Sequence, residues 1–172
     1  YNSVFYDNNV DNGSGSCLNY DFSPLNLPYI KLENCSFILN SSVNGSIIDL
    51  QWLPFILNKC LFAYNIGNYA INCDSSASLN LSCNNIYGNQ GGDWIGGIAN
   101  FADSNGNMST DPRLCDTANG DCHLDRNSPC SPFNNSCNAL IGALPVACGP
   151  MFRTWYVSAA GSDSLGDGSE NN

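Results

Sequence analysis

The side chains with most chemistry to offer in this 172-residue chain are ten cysteines, one histidine and fifteen Asp plus Glu. The cysteine spacings do not match zinc sets with their usual companion histidines, and His123 is the only histidine. A small acidic chain with this many cysteines is therefore read as disulfide-bonded, which places it in an oxidising extracellular or secretory compartment. Cys73 and Cys83 flank a short Asp-Ser-Ser-Ala-Ser turn and form the preferred bridge in the first half of the chain. Cys115, Cys122, Cys130, Cys137 and Cys148 make an odd set of five in the tail, so either one reaches back or one stays free. His123, a lone imidazole with no partner in the sequence, is read as structural.

Other side chains suit other chemistries. Seven Asn-x-Ser sequons, at Asn12, Asn34, Asn40, Asn44, Asn80, Asn107 and Asn134, are acceptors for N-linked glycans. Glycoside hydrolysis needs a spaced carboxylate pair, and β-elimination of uronates needs a base beside an acidic calcium site. Lys31, Lys59, Glu33, Asp49 and Asp74 form no such constellation and read as solvated residues. Trp52, Trp94 and Trp155 could stack on sugar rings, but core or cap positions come first for them. Asp103, Asn105, Asn107 and Asp111 place oxygen donors at alternate positions, and Asp163 and Asp167 flank a glycine turn. Neither stretch completes an EF-hand loop, so calcium is the second reading and an Asx-turn the first.

A net charge of −10, with five Lys plus Arg, disfavours nucleic acid and anionic membranes, and no segment has the length of an apolar membrane span. No basic-plus-apolar signal peptide opens the chain, which starts inside a repeat.

The elements that would position these residues are repeats. Leu32–Asn40, Leu57–Asn65 and Leu81–Asn89 echo one another, and Ser3–Asn8 is a shorter copy. Aligned on the final Asn, an apolar residue recurs at Phe5, Phe37, Phe62 and Ile86, in steps of 32, 25 and 24 residues. A unit of this size cannot bury its apolar face alone, and short strand-like phrases bounded by Asn, Gly and Ser predict stacked parallel β-structure. Equivalent residues then lie about 4.8 Å apart, Phe5, Phe37, Phe62 and Ile86 forming an inward column. Asn8, Asn40, Asn65 and Asn89 form a second column, an amide ladder at a bend where Asn itself tolerates left-handed angles. Asn40 should therefore carry no glycan. Cys35 and Cys60 are equivalent, with Cys83 displaced by one residue. Residues between Asp11 and Pro28 read as a protruding loop.

From Gly91 the repeat gives way to Gly106-Asn107-Met108-Ser109-Thr110-Asp111-Pro112, Gly120-Asp121-Cys122-His123-Leu124, Ser128-Pro129-Cys130 and Ile141-Gly142-Ala143. This series resembles the terminal segment of secreted right-handed parallel β-helix proteins of the pectin-lyase-like superfamily, over most of residues 81–149. The resemblance implies a tail that covers the open end of the last repeat. Thr154 to Ser169 resembles the opening of the same superfamily, with Trp155, Tyr156 and Val157 as a first strand. The order reads as though the chain were cut from a longer protein or tandem array.

The expected fold is all-β, a right-handed parallel β-helix (solenoid), with coils over 1–103, a disulfide-rich C-terminal cap over 104–150 and an extended linking strand over 151–172. The expected function is a structural or adhesive extracellular or cell-surface glycoprotein segment. Its partners would be N-linked glycans and neighbouring copies or adjacent β-helix domains, contacted through Trp155, Tyr156 and Val157, with head-to-tail filaments as one outcome. A polysaccharide lyase- or hydrolase-like enzyme fragment and a non-catalytic glycan-binding module are the alternatives.

Overall fold

The computed structural model describes residues 1–11, 13–20, 29–50, 54–73 and 78–149. The protein is all-β. Its first strands are β1 (Val4–Tyr6), β2 (Asn9–Val10), β3 (Gly15–Tyr20), β4 (Ile30–Glu33) and β5 (Ser36–Ile38). Next come β6 (Ser41–Ser42), β7 (Ser46–Leu50), β8 (Phe55–Asn58), β9 (Leu61–Ala63) and β10 (Tyr69–Cys73). The last are β11 (Leu79–Ser82), β12 (Asn85–Tyr87), β13 (Leu114–Asp116), β14 (Asp121–Asp125) and β15 (Val146–Cys148).

The first twelve strands form four separate parallel sheets, β1-β5-β9-β12, β3-β7-β10, β4-β8-β11 and the pair β2-β6. Neighbours in each sheet come from successive repeats, so like residues fall in register. Phe5, Phe37, Phe62 and Ile86 are paired in that order along the first sheet. The Phe5 and Phe37 rings stack at 4.7 Å, and those of Phe37 and Phe62 at 4.4 Å. Together with Leu57, Leu81, Ile48 and Ile71 from the other sheets, these side chains build the main core.

Left-handed backbone marks both ends of the first sheet's strands. Asn34, Lys59, Cys83 and Gly106 precede successive rows at positive φ, and Asp7, Leu39, Tyr64 and Gly88 follow them. The ladder asparagines are therefore not the left-handed residues, as the sequence suggested; the residue before each one is. Leu39 and Tyr64 gain nothing from this conformation themselves, since a Cβ disfavours it. The side-chain bonds of the Asn that follows offset that cost.

Residues 111–149 depart most from expectation. They do not lie across the end of the stack; they pack along its side, on the outward face of the first sheet. Ile38, Leu61 and Ala63 on that face form a second core with Cys122, Leu124, Cys130 and Ile141. Gly142 adopts φ +98, and a Cβ there would lie 2.8 Å from the Ser36 hydroxyl and 3.2 Å from the Leu61 Cβ. That close approach lets Gly142 N–H donate to the Lys59 carbonyl and Ala143 N–H to the Ser36 hydroxyl. With a core on each side, β5 and β9 are buried along their whole length. Within this lateral segment β13 pairs antiparallel with β14, and β14 parallel with β15.

The neighbours of the last row come from earlier in the chain. A 3₁₀ segment, Gly96–Phe101, buries Ile98 in the main core, where Trp94 and Phe101 also pack, and Met108 pairs with Asn85 of β12.

Cys83 is bonded to Cys137 and Cys115 to Cys148. The Cys73–Cys83 bridge is thus corrected, because Cys83 faces the lateral segment rather than its own turn. Cys137 is the tail cysteine that reaches back. Cys122 and Cys130, also expected in bridges, carry free thiols in the second core.

Candidate functional site

The densest polar constellation is the asparagine ladder. Asn8 Nδ2 donates to Asn40 Oδ1 at 2.8 Å, Asn40 Nδ2 to Asn65 Oδ1 at 3.1 Å, and Asn65 Nδ2 to Asn89 Oδ1 at 2.8 Å. Each acceptor oxygen also takes the backbone N–H of the preceding rung. The second amide hydrogen of Asn40, Asn65 and Asn89 goes to the carbonyl of Phe5, Phe37 and Phe62. Asn40, Asn65 and Asn89 are therefore each bonded three ways, as burial of a primary amide demands.

The ladder has unlike ends. At Asn89 it closes on Asp93, whose Oδ1 accepts from the Asn89 N–H and Nδ2 and whose Oδ2 accepts from the Gly88 N–H and the Ser109 hydroxyl. At the other end Asn8 is exposed. Asp93 was not legible in advance as a terminator, because it belongs to no repeat; only its position four residues after the last ladder Asn hints at it.

A second ladder of mixed composition runs through Cys35, Cys60, Asn84 and Asn107. Cys35 N–H donates to Cys60 Sγ, Cys60 N–H to Asn84 Oδ1, and Asn84 Nδ2 to Asn107 Oδ1 at 3.0 Å. Asn107 Nδ2 donates in turn to the Leu81 and Phe101 carbonyls. Asn107 is thus a buried rung, with its amide fully engaged, rather than an accessible sequon or a calcium ligand.

The remaining expected ligands are not brought together. Asp111 Oδ1 accepts from the Tyr64 hydroxyl at 2.8 Å and the Arg113 N–H at 2.9 Å. Burial and this carboxylate push the Tyr64 phenol well above its ordinary range. Asp103 and Asn105 are exposed residues at positive φ, in keeping with turns. Among the described residues no group of three or more His, Cys, Asp or Glu is placed to hold a metal. Asp163, Asp167, Asn12, Asp74, Trp52, Trp155, Tyr156 and Val157 lie outside the described residues.

Of the other sequons, Asn40 is a buried rung, Asn34 Nδ2 donates to the Leu140 carbonyl at 2.8 Å, and Asn134 Nδ2 donates to the Arg126 and Ser128 carbonyls. Asn44 and Asn80 are exposed.

Acid–base and nucleophilic groups are likewise committed to structure. Lys31 and Glu33 form an ion pair at 2.9 Å, which draws the Glu33 carboxyl below and the Lys31 ammonium above their ordinary ranges. His123 is not partnerless: its Nδ1 lies 2.7 Å from Asp121 Oδ1, and the imidazole holds that carboxyl low. The pair sits on the half-exposed face of β14, whereas Cys122 and Leu124 alternate inward. Burial pushes the Cys130 thiol up to about 11 and the Cys60 thiol further still. The hydrogen bond from Cys60 draws the Cys35 thiol down, yet Cys35 is 1% exposed. Thiols so placed are packing residues, not catalysts.

Comparison with protein-family models, with curated proteins and with solved structures found no match. The two disulfides suit an oxidising or extracellular environment, and no described helix is long and apolar enough to cross a membrane.

Proposed function

We propose that the chain is a structural, adhesive segment of an extracellular glycoprotein, built as a right-handed parallel β-helix of the pectin-lyase-like kind. Support comes from the way its polar side chains are used: the described asparagines that recur with the repeat, and Cys35 and Cys60 with them, are engaged in stacking. In-register neighbours recur one repeat apart in three sheets, the arrangement that stacked rows of a β-helix require.

The observation that carries the assembly part of the reading is the contrast between the two ends of the ladder. One closes on Asp93. At the other, Asn8 is exposed, Phe5 is stacked on one side by Phe37, and among the described residues no strand pairs with the outer edges of β1, β3 and β4. Unpaired edges of this kind accept an added strand. In this reading the occupant is the Trp155-Tyr156-Val157 phrase of a neighbouring copy, a heterologous contact that extends head to tail.

Deleting residues 153–172 tests it. The truncated chain should retain its circular dichroism spectrum and melting temperature but sediment as a monomer where the full chain forms oligomers. A full chain that is monomeric at high concentration would overturn the assembly reading.

A further inference from the structure

A groove of about 340 Å³ crosses the sheet β3-β7-β10, and its lining includes Asn44, Ser46, Asp49, Asn68, Tyr69 and Asn72. Among the described residues Asp49 is the only charged one in this lining, and it is 6% exposed. A buried carboxylate can accept about four hydrogen bonds and is costly to leave short of them. Asn72 Nδ2 straddles both of its oxygens at 3.3 Å. The Ser46 hydroxyl lies 3.4 Å from Oδ2 and also 3.1 Å from the Ser14 carbonyl. One hydroxyl hydrogen cannot serve both, and the shorter contact takes it. Among the described residues Asp49 is left with a single long, shared donor and no cation.

We infer that this groove binds a neutral saccharide, with Asp49 accepting two hydroxyls of one sugar ring. A vicinal diol offers two parallel O–H donors to the two carboxylate oxygens, which is the shape of the shortfall. The Asn44, Asn68 and Asn72 amides supply both donors and acceptors for further hydroxyls. Tyr69 is in register with Ser46, and its ring lies against Gly96, where a Cβ would come within 3.2 Å. A ring fixed in this way is an aromatic wall for a sugar's C–H face. The carboxylate and the net charge of −10 select against uronates and other anionic sugars. Among the described residues a divalent cation would find one carboxylate where such sites gather several oxygen anions. The groove lies on the face of its sheet, whereas head-to-tail assembly uses the outer edges of β1, β3 and β4, so saccharide binding and oligomer formation are read by separate experiments.

The test is a heteronuclear NMR titration of the unglycosylated full chain with neutral tetrasaccharides of glucose, mannose, xylose and galactose, and separately with trigalacturonate and calcium chloride. The expected result is saturable shifts at amides 44–49 and 68–72 with at least one neutral probe, and weaker shifts with trigalacturonate. Asp49→Asn should weaken that binding about tenfold, the loss of one charged acceptor. Asn44→Ala, at an exposed position that the fold does not need, should weaken it less. No shift with any neutral probe at millimolar concentration, or shifts of the same amides by calcium alone, would overturn the inference.

Discussion

In the stacked strands a buried polar group finds its partner one row away, in the same residue type or a near substitute, and the same bond is made again in the next row. In residues 111–149 nothing recurs. The lateral segment holds itself with an internal disulfide, a short irregular sheet and side-chain bonds such as those from Asn134 and Asn135 to local carbonyls, and it is tied to the stack by Cys83–Cys137. Repetition stabilises the first region through many equivalent contacts of modest size. Cross-links stabilise the second by limiting its unfolded states. The two meet on the outer face of β5 and β9, where the second core excludes water from strands that would otherwise have one wet face.

The largest expected effect separates two phenylalanines. Phe37 is sandwiched between Phe5 and Phe62, so Phe37→Ala should cost about 3–5 kcal/mol. Phe133, 94% exposed in the lateral segment, should change stability by less than about 0.5 kcal/mol on the same substitution. Urea denaturation of both variants checks the pair, and similar losses would erase the distinction between regions.

Somewhat smaller is the effect of opening the cross-links. Cys83–Cys137 closes a loop with a sequence separation of 54 and contributes about 2–4 kcal/mol. Three of the four bonded cysteines lie in the lateral segment, so mild reductant should release hydrogen-exchange protection over residues 113–149 before β5 and β9 lose theirs. Simultaneous loss would mean one cooperative unit.

Next in size is a single rung. Asn65→Ala removes the acceptor of Asn40 N–H and Nδ2 and the donors to the Phe37 carbonyl and Asn89 Oδ1, for about 1–3 kcal/mol in thermal or urea unfolding. No stability change is involved in the last contrast, between sequons. Mass spectrometry of protein from an N-glycosylating host should find Asn40 and Asn107 unmodified, with Asn80 open to transfer; a glycan on Asn40 or Asn107 would place that rung in solvent.

The repeating region was legible because its columns keep one residue type: four asparagines and three phenylalanines at one spacing declare both ladder and core. The second ladder was half hidden, since Cys35 and Cys60 give way to Asn84 and Asn107 in the same place, and a thiol and an amide share no obvious likeness. Asn107 consequently read as a sequon and a calcium ligand. The lateral position of residues 111–149 left no periodic trace at all, because it depends on contacts such as Gly142 with Lys59 and Asn34 with Leu140 that span unrelated segments. The Cys83–Cys137 pairing was hidden for the same reason.

The central claim is that the repeated asparagines are internal structure rather than solvated or glycan-bearing surface. Exchange of the side-chain Nδ2 hydrogens, followed by NMR, tests it most directly. Asn40, Asn65, Asn84 and Asn107 should keep their Nδ2 hydrogens on the timescale of the backbone amides of β5 and β9, while those of Asn44 and Asn80 exchange at the rate of free amides. Nδ2 exchange at Asn40 and Asn65 as fast as at Asn44 would contradict the ladder and the stacked architecture built on it.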